Sequence, residues 1–392
     1  MDIVNALFTN AIMGGGGGVT PSGTLSISAN GTYDVASFAS ADVNVAGSGD
    51  AEFAALVERT LSGSVYNAIA TKVGAYAFAG CNSITSVELP NAITIGDSAF
   101  QECAGLEHAS FASATSIYRY AFASCSKLQE ASFQKVVSIG YYAFAYDKSL
   151  TIASFPSCTS VGGGAFMVCS SLTTAYFPLY GSQVIQSSIF ANSVLLSSIT
   201  GFEDATGIEA SAFMKTAITE ANFPKATYVG YSCFASCSLL TAVNLSSCAT
   251  VSGSAFYSCT ALETIALPEC TSIGGYALAF CSALLSVSLP KISAISSYVF
   301  NSCSKLGELR LPSNCSWIGG NAFAYCKKLK SIYLEYGSVV KLSGAGQFTN
   351  TPITNNTLLS GEFGSVFIPS SLYADYVVAS GWSSIAARLV SM

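Results

Sequence analysis

Ile84-Thr-Ser-Val-Glu-Leu-Pro-Asn-Ala-Ile-Thr-Ile-Gly-Asp-Ser-Ala-Phe-Gln-Glu-Cys-Ala-Gly-Leu106 is one turn of a phrase that fills most of the chain. A short alternating apolar run ends in Pro90; Ile95-Gly96 follows, then Ala-Phe-x-x-Cys-x-x-Leu opens the next turn. The Phe recurs at Phe78, Phe100, Phe122, Phe144, Phe166, Phe190, Phe213, Phe234, Phe256, Phe300 and Phe323, with Leu278 in the one gap, in steps of 21 to 24 residues. A period of that length with a short strand per unit marks a stacked solenoid, whose coils bury their faces against one another. A chain of 392 residues would otherwise suggest more than one globular domain, but a solenoid grows by adding coils.

Within a coil, alternation places Val87 and Leu89 on the inner face of a strand and Glu88 on the outer face. The same reading holds for Leu262 to Pro268, with Ile265 and Leu267 inside. Proline cannot donate to a ladder, so it ends the strand. The glycine of Ile139-Gly140, Val161-Gly162 and Ile273-Gly274 reads as a residue chosen for a left-handed or tight turn. Ala-Phe then reads as the start of a helical turn that drops the Phe into the core. The expectation is an α/β repeat solenoid of about twelve coils, with a parallel sheet on one side and short helical turns opposite.

At these residues the chain resembles the BspA-like leucine-rich repeat family, in phase from Val73 to Leu334. The resemblance implies a right-handed solenoid used for adhesion or protein recognition, usually on microbial surfaces. The chain departs from the leucine-rich pattern where the asparagine column is Ala or Cys, and where the coil from Tyr180 to Phe202 is longer.

The remaining segments divide the chain further. Residues 1–20 are an apolar segment and a glycine tether; Met1 to Met13 lacks a basic n-region and runs into Gly14 to Gly18, so no secretion signal is read there. Residues 21–48 form a small β unit, with Thr24 to Val35 and Ala41 to Val45 alternating around Asn30-Gly31. This unit resembles a short module at the front of tailed-phage virion proteins, which implies virion attachment through residues 1–48. Residues 49–72 hold a cap, whose helix Asp50 to Leu61 buries Phe53, Leu56, Val57 and Leu61. The solenoid spans 73–340, and 341–392 comprise a looser insertion from Lys341 to Glu362, a strand at Ser365 to Pro369 and a helix from Ser370 to Ala379 closed by Gly381-Trp382.

Composition narrows the function. The net charge is −6, and 16 Lys and Arg are scattered over the chain, which argues against a nucleic-acid partner. No run has the length of a membrane span, so no membrane insertion is expected. Nine of the 14 cysteines share one column, three residues after the Phe (Cys81, Cys103, Cys125, Cys169, Cys237, Cys259, Cys281, Cys303 and Cys326), where Asp147, Ser193 and Thr216 stand in other coils. A column that accepts Cys, Ser or Thr reads as small buried groups, free thiols in place of bridges. No paired CxxC accompanies the single histidine, so no metal or other cofactor is expected. The sequence has no nucleophile elbow, Walker loop or EF-hand loop; His108 reads as a surface group, and Glu88, Glu130, Glu220 and Glu308 as a solvated acidic stripe.

Tyrosine is the informative surface residue. Tyr76, Tyr120, Tyr142, Tyr276 and Tyr298 stand two before the core Phe or Leu, among Ser, Gly and Asn. Tyr beside Ser and Gly is a paratope-like composition, because a rigid amphipathic ring supplies contact area at little entropic cost; the same rings could equally pack along the turn ridge. Tyr176, Arg310 and Tyr333 on the strand face are a second candidate. The sequence thus reads as a non-enzymatic recognition or adhesion protein that binds a cell-surface protein or glycan, displayed on a phage virion or, alternatively, on or from a bacterial surface.

Overall fold

The computed structural model describes residues 71–177, 184–335, 337–354 and 363–392, with the strands Leu25–Ile27, Tyr33–Val35, Val43–Asn44 and Ser62–Tyr66. The expected segment and tether of residues 1–20, the Asn30-Gly31 turn and the cap helix Asp50 to Leu61 lie outside the described residues. Two compact units are present, Met1–Tyr180 with Ile189–Phe202, and Gly181–Ser188 with Glu203–Met392.

The main strands of the first unit pair in parallel, coil on coil. Glu130–Ser132 pairs with Ile152–Ser154, and that strand with Thr174–Tyr176, each residue opposite its counterpart one repeat on. Glu130, Ala131 and Ser132 are exposed, buried and exposed in turn, so one face enters the core and the other meets solvent. Leu25–Ile27 and Tyr33–Val35 pair antiparallel, and Val43–Asn44 pairs in parallel with Ser62–Tyr66.

Each coil also carries a second strand, which the sequence reading missed. Ser116–Ile117, Ser138–Ile139 and Ser160–Val161 form a separate parallel ladder. The Gly140 N–H continues it by donating to the Ile117 carbonyl at 2.7 Å. Strands of two residues are too short to show alternation. The Ile-Gly glycines serve this ladder by close approach, not by a positive φ: a Cβ on Gly140 would sit 2.6 Å from the Arg119 nitrogen, and one on Gly274 2.3 Å from the Gly253 nitrogen.

Among the described residues the expected helical turns are absent, and little helix is present. Residues two before and two after the core residue are left-handed in every coil, for example Tyr120 (φ 54) and Ser124 (φ 66) around Phe122, and Tyr276 (φ 60) and Phe280 (φ 62) around Leu278. A right-handed helix cannot contain them. Alternate N–H groups there point along the stack instead: Tyr120, Phe122 and Ser124 donate to the carbonyls of Tyr141, Ala143 and Ala145, while Ala123 and Cys125 close turns onto Tyr120 and Phe122. The segment is therefore half a β-ladder and half a chain of turns.

Two columns of Phe fill the first unit. Phe78, Phe100, Phe122, Phe144 and Phe166 stack in succession at 5.0–5.2 Å. Phe111, Phe133, Phe155 and Phe177, from the strand ends, interleave with them at 5.4–6.1 Å. Offset contacts of this kind add about 0.5–1.5 kcal/mol per pair beyond area burial. In the second unit Phe213, Phe234 and Phe256 stack similarly, as do Phe300, Phe323 and Phe348.

Phe348 corrects the coil count. The stretch from Lys341, read as a loose insertion, forms a further coil: Lys341–Leu342 pairs with Trp317–Ile318, Gly346 is left-handed at φ 72, and Phe348 stacks on Phe323 at 5.8 Å. The described residues hold thirteen two-residue strands of the second ladder, against the twelve coils expected. Beyond it come the strand Ser365–Ile368, a 3-10 turn Ser370–Leu372, a helix Tyr373–Val378 shorter than expected and without a side-chain cap, and a closing strand Leu389–Ser391 that the sequence reading did not anticipate. Tyr376 and Trp382 of this segment are fully buried.

Candidate recognition surfaces

The interior columns carry no accessible chemistry. All 14 cysteines are free and buried. The Cys103 thiol donates to the Phe78 carbonyl of the preceding coil at 2.9 Å, and Cys125, Cys169, Cys259 and Cys281 do the same at 3.1 Å. Ser193 makes the equivalent bond to Phe166 at 2.8 Å, which explains why Ser is accepted in the column. Burial pushes the Cys281 thiol up to about 12 and the Cys237 thiol to about 11, so both stay protonated and able to donate. Cys158, Cys248 and Cys270, each of which follows a main strand and lies two residues before the short second strand begins, donate to the carbonyl two residues on at 3.3 Å.

Asp147 breaks the pattern. Its carboxylate is fully buried with neither oxygen hydrogen-bonded, and desolvation holds its pKa well above the usual carboxylate range.

The candidate tyrosines occupy the left-handed position before the core residue: Tyr76 (φ 58), Tyr120 (φ 54), Tyr142 (φ 56), Tyr276 (φ 60) and Tyr298 (φ 63). Four of them stack on one another. Tyr120 and Tyr142 lie 5.3 Å apart with planes 5° from parallel, and Tyr276 and Tyr298 4.5 Å apart at 4°. Tyr142 also covers Gly164, where a Cβ would lie 2.3 Å from the ring. The Tyr298 hydroxyl accepts from Asn321 Nδ2 at 3.0 Å. Where rings stack, the contacting faces are spent on each other, leaving edges and hydroxyls to solvent. Tyr76 and Tyr231, each more than 60% exposed, together with Tyr118, Tyr141, Tyr146 and Tyr325, are the open rings of the ridge.

The strand-face candidates separate. Tyr176 is exposed in the first unit, between Ser154 and Thr200. Arg310 and Tyr333 are opposite each other in the second, the guanidinium 3.7 Å above the ring, and Tyr333 stacks on Phe367 at 4.6 Å. Arg310 also lines an open concavity of about 490 Å³ with Ser286, Ser288, Glu308 and Glu335. A second concavity, of about 360 Å³, lies beside Glu107, His108 and Glu130 in the first unit. The carboxylates Glu88, Glu130, Glu220 and Glu308 are exposed as expected. Among the described residues, no cluster of three His, Cys, Asp or Glu could hold a metal ion, and no helix is long and apolar enough to cross a membrane.

Coils of 21 to 24 residues with a parallel strand ladder and an inward Phe, Leu and Cys set define a leucine-rich repeat solenoid. The chain belongs to the family of the BspA type leucine-rich repeat region, which matches residues 60–173, 159–269 and 249–366. A leucine-rich repeat protein from Bacteroides ovatus is 22% identical over 83% of this chain and 88% of its own, with a TM-score of 0.57, a likeness of fold. A leucine rich cell surface protein from Faecalibacterium prausnitzii is 20% identical over 78% of this chain and 91% of its own, with a TM-score of 0.46. No curated protein matches the sequence.

Proposed function

We propose that this is a non-enzymatic recognition protein, a surface-displayed or secreted bacterial adhesin that binds a cell-surface protein or glycan. The observation that supports it most is the separation of roles along each coil. The Phe, Leu and Cys of the core columns are consumed by the stack, while tyrosines, hydroxyls and charges recur outside on repeating frames, beside scattered apolar side chains such as Leu195, Leu239 and Leu285. Contacts spread over such a frame suit recognition of an extended partner surface. Membership of the BspA type family favours display on a bacterium. Virion attachment through residues 1–48 rests on the front module alone, and the comparisons with bacterial repeat proteins lend it no support.

The ridge is the proposed contact. In the first unit Tyr120 and Tyr142 present edges and hydroxyls and Tyr76 an open ring, with Tyr176 on the strand face; in the second unit Tyr276 and Tyr298 present edges and hydroxyls, with Arg310 and Tyr333 on the strand face. Binding of the purified protein to a panel of bacterial and host cells tests the function, with Tyr76, Tyr141 and Tyr231 changed together to Ser. Loss of cell binding with an unchanged melting curve is expected. Retained binding would reject the ridge, and failure of the unaltered protein to bind any cell would reject recognition. Antibody labelling of intact bacteria checks the location; signal confined to phage particles would overturn it.

A further inference from the structure

The basic residues are few but not evenly placed. Lys305, Arg310, Lys327, Lys328 and Lys330 fall within two consecutive coils of the second unit, five of the chain's 16, with Glu308 the one acid between the first and last of them. All five are exposed. Elsewhere four basic side chains are matched to an acid one coil earlier: Arg119 to Asp97, Lys127 to Glu107, Lys225 to Asp204 and Lys291 to Glu269. None of those four pairs falls in this cluster. Lys305, Lys327, Lys328 and Arg310 are in no ion pair among the described residues. Lys305 and Lys328 occupy the same position of neighbouring coils, because the register sets Glu308 against Ser331 and Arg310 against Tyr333. Like charges one strand spacing apart repel, and a bound anion relieves that repulsion.

Arg310 is the most ordered of the group. Its guanidinium is held on the Tyr333 ring, which Phe367 backs from the other side, so less freedom is lost when it pairs with a carboxylate. It opens onto a concavity of about 490 Å³ whose remaining polar groups are Ser286, Ser288, Ser313, Glu308 and Glu335. Hydroxyls and carboxylates of this kind exchange hydrogen bonds with the ring hydroxyls of a sugar, which an acidic peptide does not offer.

We infer that these two coils bind a carboxylate-bearing polysaccharide, with Arg310 on a uronate carboxylate, the concavity around its sugar, and Lys305 and Lys328 on neighbouring acid groups. The site deepens the recognition role proposed above and depends on it. Affinity for polygalacturonate, measured by titration calorimetry, tests it against dextran, polyglutamate and phosphatidylglycerol vesicles. Selective binding to polygalacturonate that weakens with salt is expected. Arg310→Gln combined with Lys328→Gln should weaken it about tenfold or more. Tyr333→Leu should weaken it while Tyr333→Phe, which keeps the ring, should not. Lys148→Gln, an exposed lysine of the first unit, should change nothing, and every variant but Tyr333→Leu, which loses the stack on Phe367, should melt with the unaltered protein. Equal binding to dextran, preference for polyglutamate or vesicles, or undiminished binding by the double variant would overturn the site. Cell binding retained without polygalacturonate binding would reject this site alone; loss of both in the unaltered protein would reject the recognition role itself.

Discussion

The thiol of Cys103 lies 2.9 Å from the carbonyl oxygen of Phe78, one coil earlier, an oxygen that also accepts the Cys81 backbone N–H at 3.1 Å. Most coils are thereby pinned to a neighbour by a side-chain donor inside the Phe stack, whereas Asp147 makes no such bond and Thr216 donates to Phe213 of its own coil. Any small group with a donor hydrogen suffices, as Ser193 shows. Cys281→Ser should leave the urea denaturation midpoint nearly unchanged. Cys281→Ala, which leaves the Phe256 carbonyl one donor short and opens a small void, should cost about 1–2 kcal/mol. A Ser variant as damaging as the Ala variant would remove hydrogen bonding as the reason for the column.

Asp147 sits in that column without a partner. Burial raises its folded-state pKa well above the ordinary value, so the folded chain holds a proton that the unfolded chain releases. The associated stability is fully present below the unfolded-state pKa of about 4 and is lost as pH rises toward the raised folded value. Asp147→Ser should flatten this decline and raise stability at neutral pH by about 1–3 kcal/mol. Urea denaturation across pH 4 to pH 8 checks the sign: a gap between the variant and the unaltered protein that narrows with rising pH would refute it.

Val168 is left-handed at φ 61, two residues after Phe166, where Asn192 and Asn350 stand in other coils. A β-branched residue is strained there, whereas Asn tolerates the conformation without glycine's entropy cost. Val168→Asn should stabilise the protein by about 1 kcal/mol, read as a rise in melting temperature. A fall would mean that packing of the half-buried Val outweighs the strain.

These positions also mark where the sequence stopped being informative. The period, the inward Phe and the Cys column were legible because each places one residue type at one depth of the core. The left-handed frame was not, since Tyr120, Glu102, Val168 and Lys215 are not residues that announce a positive φ. The coil at Phe348 escaped because Thr351 replaces Cys and Ile-Gly is lost, although the ring still stacks on Phe323. The tyrosine column was visible, but whether its rings faced solvent or one another depended on neighbours such as Gly164. The lysines were counted as scattered because composition ignores which coil they share.

The last coil depends on two side chains from the C-terminal segment. The Trp382 indole N–H donates to the Val340 carbonyl at 2.7 Å, and the Tyr376 hydroxyl accepts the Val340 N–H at 3.0 Å. Both backbone groups of a buried residue thus depend on atoms 36 and 42 positions away. Tyr376→Phe keeps the ring but strands the Val340 N–H, so it should cost about 1–3 kcal/mol; Trp382→Phe loses a donor and volume and should cost more, about 2–4 kcal/mol. The damage should be local. Hydrogen exchange should quicken at Val340, Leu342 and Phe348 while the amides of Phe100 and Phe122 keep their protection. Equal loss of protection at Phe122 would show that the last coil and the first unit unfold together.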